Sequence, residues 1–176
     1  MKTAILAIIT IFTLGAFNSN AQTAKIAHVQ SSVVLDSIQS YKNIVAEEQK
    51  IYKDGQKQSE AIQKQLERMQ QEYYAAVDTM SQFEEYLMRG DIEKKQNDLY
   101  MLEQVMQNQL NILQQRLVEL MKMYKEAVAI VAKRHGLTYV LDADSQVLFA
   151  SPEGKDLTDE VRTELLRMDK EKPVLE

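Results

Sequence analysis

Two long seams of apolar residues, each at helical spacing and free of proline, constrain this chain more than any other feature. From about 41 to 88, apolar or small residues recur at Tyr52, Gly55, Ser59, Ile62, Leu66, Met69, Tyr73, Ala76, Met80, Phe83 and Leu87. The steps alternate between three and four residues, which keeps one face of an α-helix against a partner helix. A second seam follows at Ile92, Leu99, Leu102, Met106, Leu110, Leu113, Leu117, Leu120, Tyr124, Val128 and Val131. Local four-residue stutters fall around Met106 and Tyr124. Between the seams stand Arg89, Gly90 and Asp91. Glycine takes the left-handed conformation that ends a helix, and aspartate caps the next one. The pattern predicts an antiparallel helical hairpin over 41–135 with its turn near 89–91. Each arm would hold about 45 residues and reach roughly 65–70 Å. The triplet also spells an integrin-binding motif, but turn chemistry accounts for it in full.

Outside the hairpin the pattern changes. The second arm ends on Lys133, Arg134 and His135, cations that complement a helix C-terminus, with Gly136 as its cap. Before the hairpin, Lys25-Ile-Ala-His-Val reads as a short strand, and Ser31 or Ser32 is placed to cap a short helix carrying Val33, Val34, Leu35 and Ile38. After it, Leu137-Thr-Tyr-Val-Leu and Val147-Leu-Phe-Ala read as a β-hairpin around the turn-rich Asp142-Ala-Asp-Ser-Gln. Thr158 is placed to cap a last helix with the stripe Val161, Leu165 and Leu166. The fold class is therefore α+β and predominantly helical. A long hairpin projects from a small β-rich body built from 22–40 and 136–176. A body of roughly 50–60 residues is small for a core that stands alone. The chain has no cysteine for a disulfide, so oligomerisation is the expected remedy. The residues expected to form the oligomerisation body are Ile26, His28, Val29, Tyr139, Val140, Leu141, Val147, Leu148 and Phe149.

The first 21 residues read as a cleaved signal peptide: Lys2, then an apolar run over 4–17, then Ser19 and Ala21 before Gln22. The run of about 14 residues is shorter than the ~20 that span a membrane. A soluble protein outside the cytoplasm is expected. Losing Lys2 leaves 20 Lys and Arg against 26 Asp and Glu, a mature net charge of −6. That balance argues against nucleic acid and against broad attraction to anionic lipid.

No arrangement of residues suggests catalysis. His28 and His135 lack an accompanying nucleophile motif, and there is no glycine-rich phosphate loop. Asp142 and Asp144 read as turn formers rather than a cation site, because Ca²⁺ takes about six to eight oxygens. No cofactor, metal or catalytic residue is assigned, and the protein is not expected to be an enzyme. A turn at Gly90 would make the numbers of facing residues sum to about 180. The segment opposite 117–124 would then be 56–63, rich in Gln, Lys and Ser. Leu117, Val118, Leu120, Met121, Met123 and Tyr124 would carry more apolar surface than the other arm covers. They are the candidate binding face, and flexible methionine suits varied apolar partners. Gly55, opposite about Lys125, would be a point of bending.

The segments Lys25-Ile-Ala-His-Val-Gln-Ser-Ser-Val-Val-Leu-Asp, Gly136-Leu-Thr-Tyr-Val-Leu-Asp-Ala-Asp, Val147-Leu-Phe-Ala and Lys155-Asp-Leu-Thr-Asp-Glu-Val resemble the opening and closing segments of the Skp/OmpH family. The order of elements fits along the whole mature chain. The resemblance implies a homotrimeric periplasmic holdase, working without ATP, whose helical tentacles enclose unfolded outer-membrane proteins in transit. Members that bind lipopolysaccharide are strongly basic, so a dedicated lipopolysaccharide site does not carry over to this acidic chain. A structural or adaptor coiled coil of the cell envelope is the alternative reading.

Overall fold

Helices of 38 and 53 residues dominate the computed structural model, which describes residues 25–173. The expected signal peptide and its cut before Gln22 lie outside the described residues. In chain order the elements are β1 (Ile26–Val29), α1 (Ser31–Asp36), α2 (Gln39–Ala76), α3 (Gln82–Arg134), β2 (Tyr139–Asp142) and α4 (Thr158–Glu171). At 1.5 Å per residue α2 is ~57 Å long and α3 ~80 Å. The arms pack against each other as expected, and the last turns of α3 also pack against α4.

The turn of the hairpin is not at 89–91. It occupies 77–81, and α3 runs straight through Arg89, Gly90 and Asp91. Its start is fixed by a capping box at Ser81. The Ser81 hydroxyl accepts from the Glu84 amide at 3.3 Å, and the Glu84 carboxylate accepts from the Ser81 amide at 2.9 Å. The Ser81 hydroxyl also donates to the Glu84 carboxylate at 2.7 Å, and this bond, with the one from the Ser81 amide, lowers the Glu84 pKa. Gly90 costs about 1 kcal/mol relative to alanine inside a helix, too little to end one that is capped elsewhere. The Arg-Gly-Asp triplet is thus helical and no adhesive loop.

Moving the turn re-registers the whole hairpin. Arg116 meets Glu47 at 3.1 Å, and the Tyr73 hydroxyl donates to Glu85 at 3.2 Å. Facing numbers therefore sum to about 160. Gly55 is buried opposite Met106, whose thioether lies where a Cβ would be. It is a point of close packing between the arms and does not face Lys125.

In the body, β1 and β2 pair in parallel, with Ile26 beside Tyr139 and Val29 beside Asp142. The whole helical hairpin serves as the crossover that parallel pairing requires. The expected β-hairpin is absent, because β1 takes the β2 edge and 147–150 forms no strand. The other edge of β1 is held by the loop before α4. The His28 amide donates to the Lys155 carbonyl at 2.9 Å, and the Leu157 amide donates to the His28 carbonyl at 2.9 Å.

Helix caps also come from farther away than expected. Neither Ser31 nor Ser32 caps α1 with its own hydroxyl; the Asp144 carboxylate accepts from the Ser32 amide at 2.6 Å. The Ser31 hydroxyl donates to Asp142 at 2.9 Å. Asp156, rather than Thr158, begins α4 by accepting from the Thr158 amide at 2.8 Å. The Thr158 hydroxyl accepts instead from the Gln30 amide at 3.0 Å. At the end of α3 the expected glycine cap is present. Gly136 has φ 58°, its amide bonds Lys133 and the Leu137 amide bonds Ala132. Replacing Gly136 by alanine forces a Cβ into the left-handed region and should lower unfolding free energy by about 1–2 kcal/mol, read as a lower urea midpoint at unchanged slope.

The core lies where the hairpin meets the body. Val34, Ile38, Leu120, Ala127, Val131, Val161 and Leu165 are fully buried there, with Leu157 beside them. A buried hydrogen bond of 2.6 Å from Ser40 to Asp169 ties the root of α2 to α4.

Candidate interaction surfaces

The six residues of the expected binding face do not form one surface. Leu120 and Tyr124 are core, packed in one cluster with Ile38 and Ile44. The reason is the new register, which brings Ile38, Tyr41 and Ile44 at the root of α2 against them instead of 56–63. Burial, reinforced by the nearby Asp142 and Asp144 carboxylates, pushes the Tyr124 hydroxyl pKa up to about 12. Met121 and Met123 are half-buried against the same cluster. Leu117 is half-buried beside a shallow groove with Tyr52 and Leu113, and Val118 faces solvent.

The surplus apolar surface on α3 is elsewhere. Met101, Val105 and Ile112 are 53%, 49% and 51% exposed. At 100° per residue they fall within about 40° of one another, roughly a quarter-turn or more from the seam. Met123 and Ile130 continue the same line toward the body. There they open onto a cleft of about 690 Å³ that Met168 and Pro173 close from the α4 side. Its rim is charged, with Glu119, Lys122, Glu126, Arg167 and Lys172. A second search for the 3.6-residue period, after removing the seam positions, would have revealed this stripe.

The expected oligomerisation residues divide by the pleat of the sheet. Val29 turns inward and is buried with Ala27, so it belongs to the body's own core. Ile26 (51% exposed) and Tyr139 (58% exposed) stand side by side on the outer face, with His28 and Leu141 next along it. Val140 lies partly buried beside Ala27. Beyond the strand, Val147 is half-buried, whereas Leu148 and Phe149 are fully or almost fully exposed.

Polar groups in the body tie helices together. Glu164 is buried and bonds Arg134 at 2.6 Å and Arg167 at 2.7 Å. Its pKa is lowered by hydrogen bonds from Arg167 and then Arg134. The amide and side chain of Ser32 lower that of Asp144. Burial opposes the shift at Asp156, but bonds from Thr158 and the nearby His28 lower it nonetheless. His135 caps α3 and bridges two charges, with Nε2 at 2.7 Å from Glu160 and Nδ1 at 2.7 Å from the Lys155 ammonium. Among the described residues, no group of three His, Asp or Glu is placed to hold a metal ion.

The lowered carboxyls fix a sign for pH dependence. Each holds its proton less tightly folded than unfolded, so its stabilisation is complete above the ordinary carboxylate range. It is lost as pH falls through the folded pKa. The urea midpoint should therefore drop between pH 6 and acid, and Glu164→Gln should flatten that drop while lowering the midpoint near neutrality.

A long helical hairpin is rooted in a small α+β body, and both carry exposed apolar faces. Residues 25–165 match the family model described as outer membrane protein (OmpH-like). The chain belongs to the OmpH-like family. Among solved structures it is similar to an OmpH-like protein of Caulobacter crescentus CB15, provisionally assigned as an outer membrane chaperone. The TM-score is 0.62 at 18% identity, covering 82% of this chain and 85% of that one. At that identity the likeness concerns the fold. No curated protein matches the chain. Among the described residues, no helix is long and apolar enough to cross a membrane.

Proposed function

We propose that this protein is a periplasmic holdase that binds unfolded outer-membrane proteins without ATP and prevents their aggregation in transit. The observation that carries the reading is the exposed stripe of Met101, Val105 and Ile112 on α3, apolar surface that the hairpin does not use for its own packing. Methionine at one end and β-branched residues along it offer many weak, adaptable contacts rather than one shaped pocket. Membership in the OmpH-like family and the chaperone assignment of the Caulobacter protein support the same role. The signal peptide expected from the sequence supports the periplasm. The role is non-enzymatic: enclosure and contact do the holding.

The working unit is a homo-oligomer, most simply a trimer. Ile26, Tyr139, Leu148 and Phe149 leave apolar surface around the sheet, and an exposed strand edge is a template for pairing with another copy. Photo-crosslinking residues at Met101, Val105 and Ile112 test the client face. An unfolded outer-membrane β-barrel should be captured at all three, and much less at the exposed polar Gln104. Equal capture at all four positions would show that the stripe has no special part.

A further inference from the structure

The tip of the hairpin carries a separate surface that the holding role does not require. Phe83, Tyr86 and Leu87 are 69%, 75% and 50% exposed. Spaced i, i+3 and i+4, they share one face of α3, and Gly90 continues that face by one turn. The face points away from α2, because Glu85, on the other side of α3, bonds Tyr73 of α2. Nothing in the fold calls for glycine at position 90. A Cβ there would meet no atom within 4 Å, and glycine weakens a helix interior. What the missing side chain provides is space: Tyr86, Leu87 and Gly90 form the apolar floor of an open depression of about 550 Å³. Its other lining residues are Gln82, Glu85, Arg89, Asp91 and Glu93, with Phe83 one turn before it.

The charge around this cleft selects its occupant. From 78 to 94, the carboxylates of Asp78, Glu84, Glu85, Asp91 and Glu93 stand against only Arg89 and Lys94. Arg89 is already engaged by Glu85 at 3.5 Å, and the neighbouring Lys95 by Asp98 at 2.7 Å. A second copy of the tip would bring like charge, and an anionic lipid surface would be repelled. We propose that the Phe83–Tyr86–Leu87–Gly90 face is a docking site for a basic, amphipathic polypeptide segment. Its apolar side chains lie along the cleft over Gly90, and its Lys and Arg meet the acidic rim or stack on the exposed tyrosine.

The test uses the full chain and a fluorescent synthetic peptide of interspersed Lys, Arg and Leu, with a counterpart carrying Glu in place of the cations. The basic peptide should bind and the acidic one should not, with affinity falling as salt rises. Gly90→Leu fills the cleft and should weaken binding about tenfold, as should the pair Phe83→Ser and Tyr86→Ser, which leaves the Ser81 capping box intact. Gly90→Ala should raise the melting temperature yet weaken binding, opposite signs that a purely structural glycine would not give. Equal affinity for both peptides, or unchanged affinity in Gly90→Leu and in the serine pair, would overturn the proposal. So would tip variants that lose binding to phosphatidylglycerol or phosphatidylcholine vesicles, or lose self-association, while keeping the peptide.

Discussion

Replacing Leu120 by alanine should destabilise the protein by about 3 kcal/mol, whereas Val118→Ala should change stability by less than about 0.5 kcal/mol. The two positions are two residues apart on α3 and similar in hydrophobicity. Leu120 is fully buried in the cluster that joins both arms to the body, and Val118 is 44% exposed. The contrast follows from the turn at 77–81, whose register brings Leu120 into one cluster with Ile38, Tyr41 and Ile44 at the root of α2. A turn at 89–91 would set Gln and Ser there and leave Leu120 free to shrink at little cost. Urea unfolding of the two variants at neutral pH measures the difference. Equal midpoints would contradict the packing described.

The second large effect concerns assembly. Ile26→Asp combined with Phe149→Asp should convert the proposed oligomer to monomer, read by sedimentation or native mass measurement. Neither side chain contributes to the buried core of the single chain, so the helical content of the dispersed variant should persist. Carboxylates on a face that joins copies would remain unpaired and desolvated, an effect strong enough to break an interface. A wild-type chain that sediments as a monomer would remove the oligomer from the account. An unchanged assembly in the double variant would place its interface elsewhere.

How far the sequence could be read depends on how local each signal is. The helices were legible from their period alone, because Leu102, Met106, Leu110 and Leu113 can share a face only in a helix. The Gly136 cap was legible for the same reason, since its bonds reach back only three to five residues. The turn was also written locally, in Ser81-Gln82-Phe83-Glu84, but the more conspicuous Gly90 drew the boundary to itself. A glycine permits a helix to end; a serine and a glutamate that satisfy each other's amides make one begin. That error of position then carried into the binding face, because antiparallel register is set by the turn. Leu120 and Tyr124 fall in the expected binding face for this reason alone.

The body was less legible because its interactions are distant. Val140 and Leu141 have the composition of a strand, but nothing near them shows that the partner is Ala27 and His28, across the entire hairpin. The nearer run at 147–150 seemed the natural partner. Asp142 and Asp144 were correctly read as turn residues, yet their further use in capping α1 depends on that same long-range pairing. Phe83 and Leu87 were placed in the seam by the misplaced turn, which hid the exposed face at the tip.

If apolar surface along the hairpin holds unfolded chains, the protein should keep a denatured client dispersed. The most direct measurement is light scattering after a denatured outer-membrane β-barrel is diluted into buffer containing the protein and no nucleotide. Scattering should be suppressed at near-stoichiometric protein. Replacing Met101, Val105 and Ile112 together by serine should restore much of the scattering without changing the oligomeric state. Scattering that proceeds equally with and without the wild-type protein would contradict the holding role.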